Sequence, residues 1–281
     1  MAIKQHASFL EPVVLGVVQG ATEFLPISSS AHLRIAGEFL PSARDPGTAF
    51  TAITQIGTEV AVLVYFRRDI ARIVDRWARS LAGQIPRNDP DARMGWQIII
   101  GTIPIGLAGY LAQNQIRSAF RSLKLTAIVL IVFGVALGVA DRIGTGTREL
   151  DDFTFGDGLL CGLGQALALI PGVSRSGATT TMGLALGFAR PAAAEYAFLL
   201  AVPAVFASGL FELRESFRNP GPYSLKKTAL ATCFSFAVGL ATISLLMRFI
   251  SKRSFLPFSI YRLLLGAKLL ILISRGVFRP I

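Results

Sequence analysis

Residues 11–41 read EPVVLGVVQGATEFLPISSSAHLRIAGEFLP, and this stretch decides the fold. Its first apolar piece, 11–25, makes about 22 Å of helix at 1.5 Å per residue and stops at Pro26. Its second piece, 31–40, is shorter and stops at Pro41. Neither crosses a hydrocarbon core of about 30 Å, which takes roughly 20 helical residues. The pair therefore reads as a re-entrant helical hairpin, with polar residues at its tip. A second hairpin follows downstream, where 158–170 ends at Pro171 and 177–189 ends before Pro191. The tips share wording: Leu25-Pro26-Ile27-Ser28-Ser29 stands beside Ile170-Pro171-Gly172-Val173-Ser174. Upstream, Gly16-Val17-Val18-Gln19 resembles Gly162-Leu163-Gly164-Gln165, with the Gln-to-Pro distance differing by one residue.

Six other apolar stretches, 49–66, 96–112, 125–140, 194–211, 228–249 and 256–273, are long enough to span a bilayer, and each hairpin is followed by three of them. The expected fold is an all-α integral membrane protein, one domain over 1–281, with six transmembrane helices and two re-entrant hairpins. The first unit is expected over about 9–141 with its hairpin at 11–40, and the second over about 156–275 with its hairpin at 158–190. A unit with three crossings places its second copy upside down, so the chain reads as an inverted repeat whose hairpins enter from opposite faces. Such paired, Pro-interrupted segments point to a site near the midplane.

Composition agrees. The 281 residues are 52% hydrophobic and only 16% charged, against roughly 25% charged in soluble domains, which argues against a soluble enzyme. The net charge of +11 does not signal nucleic acid, because the arginines lie in short gaps between apolar runs, where cytoplasmic loops and anionic headgroups use them. The densest group, Arg67, Arg68, Arg72, Arg76, Arg79, Arg87 and Arg93, marks the loop between the first two spans as cytoplasmic, while Arg117, Arg121 and Lys124 vote weakly the other way. The first hairpin then opens outward. Cys161 and Cys233 sit in apolar runs and read as small hydrophobes. The N-terminus shows no cleavable signal pattern, and His6 reads as solvated. No zinc spacing, Walker loop or dinucleotide fingerprint is found.

The chemistry concentrates at the tips. QGATEFLPISSSAH, from Gln19 to His32, carries a carboxylate, three hydroxyls and an imidazole, groups that are costly in a bilayer and default to function. PGVSRSGATTT, from Pro171 to Thr181, sets Arg175 between Ser174 and Ser176 at the start of a helix. Backbone N–H groups, the helix dipole and a forked guanidinium together describe a phosphate or diphosphate cradle. If the tips meet, acid and base groups face a cationic cradle, a layout for phosphoryl transfer, with a divalent ion held by Glu23 and the serines and His32 as nucleophile and proton carrier. Plainer roles stand beside these: Glu23 as a structural partner of Arg175, His32 as a hydrogen-bonding group in the hairpin, and one serine of each tip as an N-cap. Glu59, Glu195, Arg262 and Lys268 lie in spans and read either as an ion path or, preferably, as pairing among themselves with Lys268 snorkelling; Glu59 shares a helix face with Gln55 and is the one that can look toward the site.

Together these two motifs resemble the signatures of the bacterial undecaprenyl-diphosphate phosphatase family, the bacitracin-resistance type. The likeness extends over the chain through Thr54-Gln55-Ile56-Gly57, Phe198-Leu199-Leu200-Ala201-Val202-Pro203 and Tyr261-Arg262-Leu263-Leu264-Leu265-Gly266. The resemblance implies a dimeric enzyme of six spans and two re-entrant hairpins in the bacterial plasma membrane. It implies hydrolysis of the C55 polyprenyl diphosphate at the outer face, so that the carrier lipid returns to cell-wall synthesis, supported by a divalent cation, Mg or Ca. By position it places the family's functional residues on Gln19 and Glu23, Ser28 and Ser29, His32, and Ser174, Arg175 and Thr179. On this reading Arg175, Ser174, Ser176 and Thr179 grip the diphosphate with Ser28, Glu23 binds metal or manages protons, Ser29 is the nucleophile, His32 the acid or base, and Gln19 orients by hydrogen bonding. The rival classes are a transporter moving polyprenyl phosphate between leaflets through the same inverted repeat, and a structural or ion-conducting membrane protein.

Overall fold

The computed structural model describes residues 9–40, 46–112, 122–218 and 221–278. Over these the chain forms eleven α-helices and no strand; the one pairing of extended backbone is an isolated bridge between Arg148 and Phe188. In order they are α1 (Leu10–Thr22), α2 (Ser29–Glu38), α3 (Thr48–Tyr65), α4 (Arg67–Leu81), α5 (Pro90–Leu111), α6 (Leu123–Ile143), α7 (Phe155–Ala166), α8 (Arg175–Ala185), α9 (Arg190–Ser216), α10 (Leu225–Ile250) and α11 (Leu256–Ser274). Six of them, α3, α5, α6, α9, α10 and α11, are long and apolar enough to cross a membrane. His6, Pro41, Arg117 and Arg121 lie outside the described residues.

Helix ends follow capping chemistry more than the limits of the apolar runs. Asp89 accepts from the Ala92 N–H with Pro90 at the first position, so α5 starts six residues before the apolar run at 96. Thr154 and Asp157 form a reciprocal capping box that starts α7 at Phe155 rather than 158. At its other end α7 tightens into a 3-10 turn, Leu167–Leu169, ahead of Pro171. Helix α1 ends at Thr22, with Glu23 as its C-cap, short of the run's end at 25, where Pro26 disfavours helical backbone at Leu25.

The largest departure from the sequence reading is α4. The Arg-rich segment read as a loop is for 15 residues a helix, in which Ile70, Ile73, Val74 and Trp77 share one face while the arginines occupy the other. Arg72 bonds Asp69 and Asp91, and Arg76 bonds Asp89 at 2.6 Å, which ties α4 to the start of α5. Arg93 belongs to α5.

The two short helical pairs sit in matching surroundings. Helix α1 packs along α10 and α7 along α5; α3 lies against α9 and α10, and α6 against α11 and α8. Both short helices approach their partners closely at a glycine three residues before the shared wording's Gln: at Gly16 the Ala231 backbone, and at Gly162 the Gly101 backbone, leaves no room for a Cβ. Apolar packing around Phe24, Val62, Phe66 and Phe198 forms the core beneath the tips. Farther along, Phe153 stacks between Phe188 and Tyr196, with ring centroids 3.7 and 4.0 Å apart. At the foot of α7, Arg148 holds Asp157 at 2.6 Å. Burial alone would raise the Asp157 carboxyl, but hydrogen bonds from Arg148 and Thr154 outweigh it and hold the group below its ordinary value.

Candidate active site

Both tips are built by the same local device. Ser28 caps α2 with its Oγ accepting from the Ala31 N–H, and Ser174 caps α8 by accepting from the Gly177 N–H. Each cap sits at positive φ, +73° for Ser28 and +70° for Ser174, a region that non-glycine residues occupy at a cost of about 1–3 kcal/mol. Each Oγ also meets the hydroxyl two residues on, Ser30 at 3.1 Å and Ser176 at 3.2 Å. The caps fix which positions correspond. Ser28 pairs with Ser174, nine residues after Gln19 and Gln165 respectively, rather than Ser29 with Ser174 as the proline alignment suggested. It is the prolines that stand out of register, two residues before one cap and three before the other.

Arg262, on α11, holds this geometry. It is 1% exposed and donates to four backbone carbonyls. Its Nη1 reaches Pro26 at 2.9 Å and Val173 at 3.0 Å, its Nη2 reaches Gly172 at 2.8 Å, and its Nε reaches Leu130 of α6 at 3.2 Å. One rigid guanidinium thus ties the two tips to each other and to α6 and α11, satisfying carbonyls stranded at the turns. Its expected pairing with Glu59 or Glu195 does not occur: its partners are carbonyls, and Glu195 is half-buried at the start of α9; Lys268, read as snorkelling, is exposed.

The tips meet at Glu23. Its Oε1 accepts from Arg175 Nη2 at 2.6 Å, and its Oε2 accepts from Gln19 Nε2 at 2.6 Å and from Ser29 Oγ at 2.5 Å. Ser176 Oγ donates to the Glu23 carbonyl at 3.1 Å, so the second tip grips the first through backbone as well as side chain. Glu59 of α3, 1% exposed, brings Oε2 to 3.7 Å from Arg175 Nη2, while its Oε1 has no hydrogen-bond partner. Glu23, Glu59, Arg175 and Ser176 line a small cavity with Phe24, Val62 and Phe198 as its apolar wall. Burial this deep makes each charge expensive unless paired, and the pairing here joins residues 152 positions apart.

His32 stands to one side. Its Nδ1–H donates to the Ser28 carbonyl at 2.8 Å, which leaves Nε2 as the acceptor for the Tyr261 hydroxyl at 2.7 Å, with the two rings stacked 5.6 Å apart. Thr179 lies one turn beyond Arg175 on α8, fully buried, with no partner for its Oγ1. The structure therefore gathers Gln19, Glu23, Ser29, Arg175 and Ser176 into one network, sets Ser28 and Ser174 as caps beside it, and gives His32 and Thr179 no contact with Glu23.

Comparison with known proteins gives the family. A family profile described as bacitracin resistance protein BacA matches residues 12–268. An undecaprenyl-diphosphatase of Micrococcus luteus is 60% identical over 273 residues, covering 96% of this chain and 99% of that protein. One from Clavibacter michiganensis is 61% identical over 269 residues, at 96% and 98% coverage, and one from Thermobifida fusca is 56% identical over 273 residues, at 97% and 93%. The chain belongs to the BacA family. With six apolar helices of spanning length it is a multi-pass membrane protein.

In this BacA-family chain sequence reasoning singled out the gathered residues, but it read Arg262 as an ion-path or pairing residue and gave Tyr261 no role. The signal for Arg262 was available: an arginine in an otherwise apolar run either lines a path or satisfies a buried acceptor. Nothing in the sequence says that the acceptors are carbonyls at two distant turns.

Proposed function

We propose that the protein hydrolyses undecaprenyl diphosphate to undecaprenyl phosphate and inorganic phosphate, returning the carrier lipid to cell-wall synthesis. The observation that carries this reading is Ser29 Oγ bonded to Glu23, which is itself paired with Arg175 from the other tip. A hydroxyl, a carboxylate able to take its proton and a guanidinium fit to receive phosphate oxygens stand within one hydrogen-bonded chain. The names of the relatives favour hydrolysis over carriage of the same lipid.

Arg175 leaves Glu23 for the terminal phosphate, helped by N–H groups of the first turn of α8 and by the Ser174 and Ser176 hydroxyls. Glu23 then takes the Ser29 proton as Oγ attacks the terminal phosphorus. The bridging P–O bond breaks and its electron pair leaves with undecaprenyl phosphate, which takes the proton from Glu23; the freed carboxylate then deprotonates water, whose attack on phosphorus breaks the Ser29 O–P bond, releases phosphate and leaves the proton to return to Ser29 Oγ. Gln19 fixes the orientation of Glu23, and His32 with Tyr261 relays protons at the rim. Thr179 supports the first turn behind Arg175. Glu23 would hold a divalent cation, Mg or Ca, through its hard carboxylate oxygens, and that ion would supply neutralising charge to the phosphates.

The same reading takes the two hairpins as re-entrant and the chain as an inverted repeat, supported by the matching caps and by the exchange of packing between α1 with α10 and α7 with α5. It sets the repeats at about 9–141 and 156–275. It places the protein in the plasma membrane as a homodimer, with the arginines of α4 cytoplasmic and the site open to the outer face.

The test uses purified protein in detergent and in liposomes loaded with polyprenyl diphosphate. Phosphate and polyprenyl monophosphate are expected in equal amounts, with release suppressed by chelator. Movement of intact lipid between leaflets without phosphate release would replace the enzyme by a carrier.

A further inference from the structure

The inference rests on that reading of the site, in which one acidic group lining the cavity, Glu59, has no role. Glu23 has both carboxylate oxygens engaged, and Gln19 spends its donor side on Glu23. Glu59 alone combines a carboxylate, 1% exposure, a position in the cavity wall and an oxygen with no partner. A buried carboxylate oxygen left unpaired is costly, so the pocket is built for something that supplies positive charge there.

Charge accounting gives the same answer. One guanidinium faces two carboxylates, Glu23 at 2.6 Å and Glu59 at 3.7 Å. A diphosphate entering this low-dielectric space adds at least two more negative charges and draws Arg175 toward itself, leaving both carboxylates uncompensated. Among the described residues no group of three His, Cys, Asp or Glu is placed to hold a metal, so a cation here would rely on at most two carboxylates and complete its shell from water and phosphate. That is the habit of Mg, which is commonly held by one or two carboxylates plus substrate phosphates.

We infer that Glu59 is the second protein ligand of the divalent cation, and that the metal site of this chain bridges α3 and the first tip as a Glu23–Glu59 pair. Gln19, an amide, orients Glu23 without carrying ligand charge. The site thereby depends on the register between α3 and α1, both of which pack on α10, α3 closely at Gly57 and α1 at Gly16 and Gly20.

Mn binding to the detergent-purified protein, followed by electron paramagnetic resonance without lipid, tests this. Outer-shell substitutions alone weaken metal sites by roughly 10- to 100-fold, so Glu59→Gln is expected to weaken Mn by about tenfold or more, as is Glu23→Gln. Mn affinity unchanged in Glu59→Gln would overturn the assignment. A second readout needs no variant: carbodiimide labelling of Glu59 in the wild-type protein, measured by peptide mass, is expected to fall when Mn is added, and labelling indifferent to Mn would also overturn it. Phosphate release by the same wild-type preparation reports separately on the phosphatase reading.

Discussion

Arg175→Ala is expected to reduce kcat/KM for polyprenyl diphosphate by about 10²- to 10³-fold, the usual consequence of deleting one preorganised donor to developing charge. Arg175 is the cation shared by Glu23 and Glu59, so its removal also strands two buried carboxylates. Breaking such a pair from one side typically costs about 3–5 kcal/mol, and the variant should melt at lower temperature. The stability effect is isolated in the double variant Arg175→Ala with Glu23→Gln, where the stranded charge at Glu23 is gone and melting temperature is expected to recover in part; the effect on catalysis is read from the single variant assayed well below its melting temperature. Arg175→Lys keeps the charge but loses the fork that grips two oxygens, and is expected to fall between the alanine variant and the wild type. Steady-state phosphate release and thermal melting of the same preparations check all three. Near wild-type phosphate release by Arg175→Ala, assayed well below its melting temperature, would reduce Arg175 to a structural partner.

The second large effect belongs to Arg262→Lys. A lysine ammonium presents donors from one point and cannot reach carbonyls of Pro26, Gly172, Val173 and Leu130 together. Losing two charged hydrogen bonds at about 1.5–3 kcal/mol each destabilises the junction by roughly 3–6 kcal/mol. For a chain of this size that lowers Tm by about 10 °C or more. Activity should fall further than stability. The caps at Ser28 and Ser174 hold positive φ only while the carbonyls before them are pinned, and with relaxed caps Ser29 and Arg175 no longer converge on Glu23. Assays well below the melting temperature should therefore still show a large loss in kcat with a smaller change in KM. Wild-type kcat in the lysine variant would show that the tips hold themselves together without Arg262.

How much of this was legible in the sequence depends on what kind of signal each feature leaves. The six spanning helices and two short helical pairs were legible because run length against Pro position measures them directly. Helix α4 was hidden, since Arg67, Arg68, Arg72, Arg76 and Arg79 interrupt Ile70, Ile73, Val74 and Trp77, and the segment looks polar until it is read at a period of 3.6. The meeting of Glu23 with Arg175 was readable from the costliness of both groups in an apolar setting. The choice of Ser28 rather than Ser29 or Ser30 as cap was not, because it lives in backbone dihedrals that three adjacent serines describe equally well. Arg262 illustrates the deeper limit: its partners are backbone carbonyls 89 to 236 positions away, and a carbonyl carries no residue identity. Glu59 was visible as a candidate by helix face, but its distance to Arg175 required the packing of α3 against α9.

The central claim is that the tips converge on Glu23 to make a phosphatase site, and Glu23→Gln tests it most directly. The amide keeps the shape and the neighbours of the carboxylate but cannot take the Ser29 proton or hold a divalent ion strongly. Single-turnover phosphate release from undecaprenyl diphosphate is expected to drop by about 10³-fold, within the range for removal of a general base, in protein that elutes as the wild type does and melts cooperatively. Release within a few-fold of wild type by the folded Glu23→Gln protein would contradict the account.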